Sequence, residues 1–278
     1  MKIIVAKHSG FCFGVKRAVD IALEDYDAKT YTYGQIIHNG EFQKKLEKKD
    51  IHIETDLNSI KNSNLIIRSH GVTKQVYQDA LKNSINIIDA TCPYVKKIHK
   101  IVEDEYNKNR KIIIIGDKFH PEVIGINGWC ENKAVIINNL KFMLSIFKKS
   151  DKISVVCQTT FNILKYNEIK DKLNDFFDDI IFYDTICTAT EKRQISADEL
   201  SKQVDLMIVV GGKNSSNTNK LFDICKKNTK TIFLQTEKDF YLSSLTNVNS
   251  IGIVGGASTP DWVINDIIKK INNEGEGF

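Results

Sequence analysis

The feature that most limits what this chain can fold into is a set of short, unbroken apolar runs rich in Ile and Val, separated by stretches of helical pattern. They fall at Lys2 to Ala6, Tyr31 to Ile37, Asn64 to Arg68, Ile85 to Ile88, Lys111 to Ile115, Ala134 to Ile137, Ile153 to Cys157, Ile180 to Tyr183, Leu206 to Val210, Thr231 to Leu234 and Ser250 to Val254. A strand with one wet face alternates apolar and polar residues. A strand buried on both faces reads as a continuous run, and such strands joined through helices are parallel. The predicted fold class is α/β. Only three prolines occur, Pro93, Pro121 and Pro260, each just after a run, where the ring suits the first turn of a helix.

Length and composition narrow the function classes. At 278 residues the chain suits one large α/β unit or two to three small ones. No apolar run reaches the roughly eighteen residues that cross a bilayer, and MKIIVAK is too short for a signal-peptide core, so no membrane partner and a cytoplasmic location are expected. The net charge of +4 is mild, and Lys residues are spread over solvated faces such as KKLEKKD and KFMLSIFKK, so no nucleic-acid partner is expected. A monomer is expected because no amphipathic surface stripe demands a partner. In a reducing compartment six cysteines do not read as a disulfide framework. They read as metal ligands, catalytic thiols or small buried residues.

Ligands of open parallel sheets bind outside the carboxyl ends of the strands. The segments just after the runs are polar: Cys12; His38; Ser69-His70-Gly71; Cys92; Asp117 to His120 with Glu122; Gln158-Thr159-Thr160; Cys187; Asn214 to Asn217; and Ala257-Ser258-Thr259. In order, each third of the chain supplies tip, tip, cysteine, with a repeat of about 90 residues. The cysteine tips are variations on one pattern. IIDATCPYVKKIHK and IIFYDTICTATEKR each place an Asp three residues before a Cys that opens a helix, and KIIVAKHSGFCFGVKRAVD is a degenerate third copy. The last third ends on a helix from Pro260 to Ile271 and lacks a closing strand and cysteine; the amino-terminal segment is the missing piece. The predicted organisation is therefore a pseudo-threefold set of three small parallel-sheet α/β units, spanning 13–92, 93–187, and 1–12 plus 188–278.

Cysteines in such a chain are ordinarily small core residues, which accounts for Cys130, Cys157 and Cys225 inside apolar patterns. It fits Cys12, Cys92 and Cys187 poorly, because they stand in polar turns that open helices, where a thiolate is favoured. Their wide spacing matches neither a zinc C-x₂-C pair nor a compact ferredoxin run. One such His would read as a local cap, but His38, His70 and His120 at equivalent tips, with Ser215, Asn217 and Ser258, read as a ring of donors with little negative charge at helix amino-termini, suited to a phosphate or diphosphate; capping and anion binding use the same helix end and are compatible. Glu122 reads either as a first-turn acid beside the helix dipole or as a proton donor, with Thr159 and Thr160 facing it. HPE is not a zinc HExxH motif, and Gly211-Gly212 and Gly255-Gly256 form no dinucleotide or P-loop signature.

Taken together, GFCFGVKRA, IHN, SHGV, DATCP, HPEVIG, QTT, DTICTAT followed by RQ, VGGKNSSN and GGASTP resemble the 4-hydroxy-3-methylbut-2-enyl diphosphate reductases, the IspH or LytB family, in that family's order from residue 10 to 260. KHSG before Phe11 and EKRQ after Thr190 are local departures from the family pattern. The resemblance implies a trefoil around one [4Fe-4S] cluster held by Cys12, Cys92 and Cys187, its fourth iron open. It implies substrate contacts from His38, His70, His120, Thr159, Thr160, Ser215, Ser216, Asn217 and Ser258, and proton delivery by Glu122 with Thr159. The implied reaction is the two-electron reductive dehydroxylation that yields isopentenyl and dimethylallyl diphosphates, the last step of the non-mevalonate isoprenoid pathway. Electrons are expected from an external ferredoxin or flavodoxin, since the chain carries no flavin or nicotinamide signature. The rival readings are a quinolinate-synthase-like three-cysteine enzyme and a non-catalytic iron-sulfur sensor.

Overall fold

The computed structural model describes residues 1–139, 146–241 and 245–275. Much of the basic run KFMLSIFKK lies outside the described residues. Among them are three four-stranded sheets in which every pairing is parallel. By contact the chain divides into two compact units, one of residues 14–187 and one of residues 1–13 with 188–278.

The unit 14–187 holds two sheets. The first consists of β2 (Thr30–Tyr33), β3 (His52–Ile53), β4 (Asn64–Ile67) and β5 (Asn86–Asp89) in the order β3-β2-β4-β5. The second consists of β6 (Lys111–Ile115), β7 (Val135–Ile137), β8 (Lys152–Cys157) and β9 (Asp179–Phe182) in the order β7-β6-β8-β9. The connections are helices α1 (Phe13–Ala22), α2 (Gly40–Glu47), α3 (Lys74–Lys82), α4 (Pro93–Asn107), α5 (Pro121–Asn127) and α6 (Ile163–Phe176). The other unit holds β1 (Lys2–Val5), β10 (Leu206–Val210), β11 (Lys230–Leu234) and β12 (Ser250–Gly255) in the order β1-β12-β10-β11, with α7 (Thr188–Ser201), α8 (Ser216–Cys225) and α9 (Asp261–Gly275).

In all three sheets the strand that carries a cysteine tip is at one edge, and the two central strands are neighbours whose connections run to opposite sides. That order puts a reversal of direction at the middle of each sheet, the place where doubly wound sheets open a crevice at their carboxyl ends. The continuous runs behave as their composition requires: Ile112 to Ile115 and Leu206 to Val210 are buried throughout, covered by helices on both faces. The core against the sheet of β6 and β8 comes in two halves, Ile113, Val155 and Leu173 on one side and Ile112, Ile114 and Val123 on the other.

Two elements differ from expectation. β2 stops at Tyr33 instead of running to Ile37, because Gly34 turns to φ +78, a conformation that ends a strand and that only glycine adopts without strain. β3 is two exposed residues, HI, too short to produce an apolar run. Pro93 and Pro121 occupy the first turns of α4 and α5, while Pro260 stands one residue ahead of α9, which runs on to Gly275.

Inside the unit 14–187 the two sheets are tied by aromatic groups. Trp129, in the short 3-10 turn Gly128–Cys130, donates its indole N–H to Val72 O at 3.0 Å. His99 of α4 stacks on it at 5.0 Å and 19°, and Tyr77 of α3 meets it edge-on at 6.0 Å.

Candidate functional site

In the unit 14–187 the tips after β4, β6 and β8 come together. His120 caps α5: its Nδ1 accepts the Glu122 N–H at 3.2 Å, which leaves Nε2 as the ring's donor. The His120 ring meets His70 edge-on with centroids 5.3 Å apart. Burial is the main cause that pushes the His70 imidazole well below its ordinary range, with the charges of His120, Arg68 and His38 adding to it. His70 Nδ1 is shielded from solvent and has no hydrogen-bond partner among the described residues. His38, at the tip after β2, is more open; its Nδ1 lies 2.8 Å from Gln35 Oε1, and burial followed by Arg68 holds its pKa down. Both rings are thus neutral at pH 7 and act as hydrogen-bonding groups.

Glu122 is 2 % exposed in the first turn of α5. Oε1 accepts the Thr159 backbone N–H at 2.6 Å and Oε2 accepts the Thr159 hydroxyl at 2.7 Å. A buried carboxyl held on both oxygens by the neighbouring strand tip is more than a dipole-complementing acid. Thr160 serves differently: its Oγ1 accepts from Gln158 Nε2 at 3.1 Å, and Gln158 Oε1 accepts the Asp117 N–H at 3.1 Å, which joins the tips after β6 and β8.

Cys92 and Cys187 are partly exposed, and neither is in a disulfide. Cys92 immediately precedes α4, and its backbone N–H donates to Ser69 O at 3.0 Å; Cys187 N–H donates to Thr159 O at 3.1 Å. Each cysteine tip is therefore stitched to a histidine or threonine tip on the neighbouring strand. The Cys92 thiol rests on the backbone of α1: a Cβ added to Gly14 would stand 2.5 Å from its Sγ. Arg17, on the next turn of α1, donates to Asp89 O at 3.2 Å and Thr91 O at 3.4 Å and so braces the turn that presents Cys92.

The unit 1–13 with 188–278 repeats the scheme. Cys12 is partly exposed, and its N–H donates to Ala257 O at 3.2 Å, beside Ser258. Arg193 of α7 donates to His8 O at 2.5 Å and Gly10 O at 2.9 Å, bracing the Cys12 turn as Arg17 braces that of Cys92. Ser215 caps α8, accepting the Thr218 N–H at 3.3 Å, and Ser216 opens the helix. Asn217 is 4 % exposed, yet neither Oδ1 nor Nδ2 has a hydrogen-bond partner among the described residues, and the same holds for the Thr218 hydroxyl. The close approach of Gly211 to these groups admits no side chain: an added Cβ would stand 2.7 Å from both Thr218 and Thr259 Oγ1.

The remaining thiols are different in kind. Cys130, Cys157 and Cys225 are fully buried, and burial pushes Cys130 up and Cys225 up to about 12, which keeps both protonated. Among the described residues no three His, Cys, Asp or Glu side chains are grouped to hold a single metal ion. Sequence reasoning missed Arg17, Arg68 and Arg193. The first and last act on backbone carbonyls far away in sequence, a partnership with no local signature.

Fold and tips together define an α/β protein that presents polar groups at the switch points of three parallel sheets and one cysteine after an edge strand of each. The chain belongs to the LytB protein family, whose model it matches over residues 3–272. It is 46 % identical to the 4-hydroxy-3-methylbut-2-enyl diphosphate reductase of Clostridioides difficile (strain 630), over 98 % of this chain and 100 % of that one. It is also 46 % identical to the enzyme of that name from Alkaliphilus oremlandii (strain OhILAs), over 98 % and 100 %. Among solved structures it resembles the E-1-hydroxy-2-methyl-but-2-enyl-4-diphosphate reductase of Plasmodium falciparum, with TM-score 0.91, 33 % identity and coverage of 98 % and 88 %. A structure of (E)-4-hydroxy-3-methyl-but-2-enyl diphosphate reductase, the terminal enzyme of the non-mevalonate pathway, gives TM-score 0.71 and 35 % identity over 98 % and 100 %. None of these relatives is a quinolinate synthase or a sensor. No described helix is long and apolar enough to cross a membrane.

Proposed function

We propose that this chain reduces 4-hydroxy-3-methylbut-2-enyl diphosphate to isopentenyl and dimethylallyl diphosphates. The C–O bond to the allylic hydroxyl breaks, two electrons enter, one proton leaves with the oxygen as water and one is added to the allylic skeleton. The observation that carries this reading is the end-to-end match, at 46 % identity, to reductases of that name.

The donor set fits an iron-sulfur cluster held by Cys12, Cys92 and Cys187. These thiols are partly exposed and outside any disulfide, in contrast to the three sealed ones, and Cys92 lies in a cradle that only glycine at position 14 leaves open. When bound, a [4Fe-4S] cluster with one iron open to substrate supplies the electrons and a Lewis-acid position.

The chain's own groups do the rest. Glu122 is the proton source. With Oε2 protonated, the hydrogen bond to Thr159 runs from carboxyl to hydroxyl, and Thr159 Oγ1 passes its own proton to the departing oxygen. Thr159 N–H on Oε1 keeps the carboxyl aimed while this happens. His38, His70 and His120, together with Thr160, Ser215, Ser216, Asn217 and Ser258, hold the diphosphate; the unpartnered polar atoms of His70 and Asn217 are suited to that task. They contribute orientation and leave the bond-making to the reacting groups. A small ferredoxin or flavodoxin delivers the electrons, and the protein works as a cytoplasmic monomer.

The test is anaerobic. The cluster is reconstituted, reduced viologen and the hydroxylated allylic diphosphate are added, and the C5 diphosphates are quantified. Products that require the reductant are expected; none from a protein with an intact cluster would refute the reading.

A further inference from the structure

Arg68, immediately after β4 and two residues ahead of His70, is a cation with no counter-charge among the described residues. Its side chain is partly buried, and Nε is fully shielded with no hydrogen-bond partner among the described residues. Among the described residues the guanidinium makes no hydrogen bond and no ion pair. The nearby ionisable hydroxyl, Tyr33, has its pKa raised by burial and stays neutral, so it offers no counter-charge.

The position of the guanidinium is defined by the backbone beside it. A Cβ added at Gly34, which ends β2 at φ +78, would lie 3.1 Å from Arg68 Nη1 and 3.2 Å from Cζ. The charged group therefore lies over the end of β2 from its root at the end of β4, across the switch point of that sheet, where ligands of doubly wound sheets bind. His38 and His70 share this corner, and the Arg68 charge contributes to holding both imidazoles neutral. Among the groups assigned above to the diphosphate, all are neutral hydrogen-bonding groups. The fixed positive charge in this corner is on Arg68.

A cation taken out of water without a partner is strongly unfavourable. Arginine is poorly suited to relieving that cost by losing its proton. Its planar fork does match two oxygens of a phosphate group. We propose that Arg68 is the counter-charge for the substrate's diphosphate, pairing with its non-bridging oxygens at the β2–β4 switch point. This rests on the reductase reading and adds to it a binding residue that carries charge.

The experiment separates the two. Wild-type holoenzyme that fails to reduce the diphosphate substrate refutes the reductase reading whatever Arg68 does. Given wild-type turnover, Arg68→Met is expected to raise KM by about ten- to a hundredfold, the range for a lost charged hydrogen bond, with kcat little changed. Arg68→Lys, which keeps the charge and loses the fork, is expected to recover part of that loss. A second readout needs no turnover. Inorganic pyrophosphate is expected to raise the melting temperature of the wild-type holoenzyme and to raise that of Arg68→Met by clearly less at the same concentration. Without pyrophosphate, Arg68→Met is expected to melt at or above the wild-type temperature, since an unanswered charge has been removed. A merely structural arginine gives the opposite sign. An unchanged KM, a pyrophosphate shift of wild-type size in Arg68→Met, or a ligand-free variant that melts well below wild type overturns the proposal.

Discussion

The buried carboxyl of Glu122 is tolerable because both of its oxygens accept from Thr159, and this pairing sets what a substitution does. Glu122→Gln keeps the shape and an acceptor for the Thr159 N–H but has no proton to give. Turnover is expected to fall by about 10²- to 10⁴-fold while cluster absorbance and substrate binding persist; steady-state assay beside the visible spectrum checks it. A second residue-scale expectation concerns His99, 3 % exposed against Trp129, whose imidazole burial pushes down to about 4. Above its ordinary 6.5 the ring is neutral folded and unfolded, and His99 has no effect on the pH dependence. As pH falls below that value the unfolded chain takes up a proton that the folded chain refuses until about 4, so stability is lost across this window, by at most about 3 kcal/mol. Urea unfolding at pH 7.5 and pH 5 should show a smaller loss in His99→Asn than in wild type. At this scale the sequence is uneven. Glu122 could be picked out because HPE follows a strand and opens a helix, whereas its bond to Thr159, 37 residues on, has no sequence mark. Arg68 reads as the last residue of an apolar run, and only the lack of a counter-charge among the described residues gives it meaning.

At the scale of elements, each cysteine is presented by a strand, a turn and a helix, and the turn is held from outside. The first turns of α1 supply two such supports for Cys92: the bare backbone of Gly14 under Sγ and the Arg17 guanidinium on the carbonyls of Asp89 and Thr91. Gly14→Ala is favourable for the helix by up to about 1 kcal/mol, yet its methyl would stand 2.5 Å from the thiol. The expected result is a folded protein, with wild-type far-UV dichroism, that retains less iron after reconstitution; iron and protein assays on one sample decide it. GFCFGVKRA can be read as a strand-to-helix turn, but the use of its glycine and arginine on a turn more than seventy residues away is a tertiary fact. Elements that depend on an unbroken apolar run were legible, and β3, with two exposed residues, was not, because pairing along β2 and not side-chain burial defines it.

The described residues form three four-stranded parallel sheets, and one of these joins the first strand to the last: β1 pairs in parallel with β12, Ile4 opposite Gly252. Parallel strands buried on both faces were readable from the unbroken apolar runs, as was their alternation with helices. The strand order within each sheet was not, since it is fixed by which faces the helices cover. The role of β1 yields a test with an internal control. Lys2 N–H donates to Asn249 O and Ala6 N–H donates to Ile253 O, so the N–H of Ile4, midway between them, also faces β12, whereas that of Val5 faces away. Ile4→Pro removes a ladder bond and leaves a carbonyl of β12 unanswered, at a cost of about 1–3 kcal/mol, and Val5→Pro leaves the ladder whole. Hydrogen exchange should show weakened protection of β12 and β10 in Ile4→Pro, with β4 and β8 unchanged, and a much smaller effect in Val5→Pro. Equal effects of the two prolines would mean that β1 is not held by this ladder. The tip that carries Cys12 comes directly after β1, so cluster retention in the two variants should show the same order, tying the closing strand of the third sheet to the thiol it delivers.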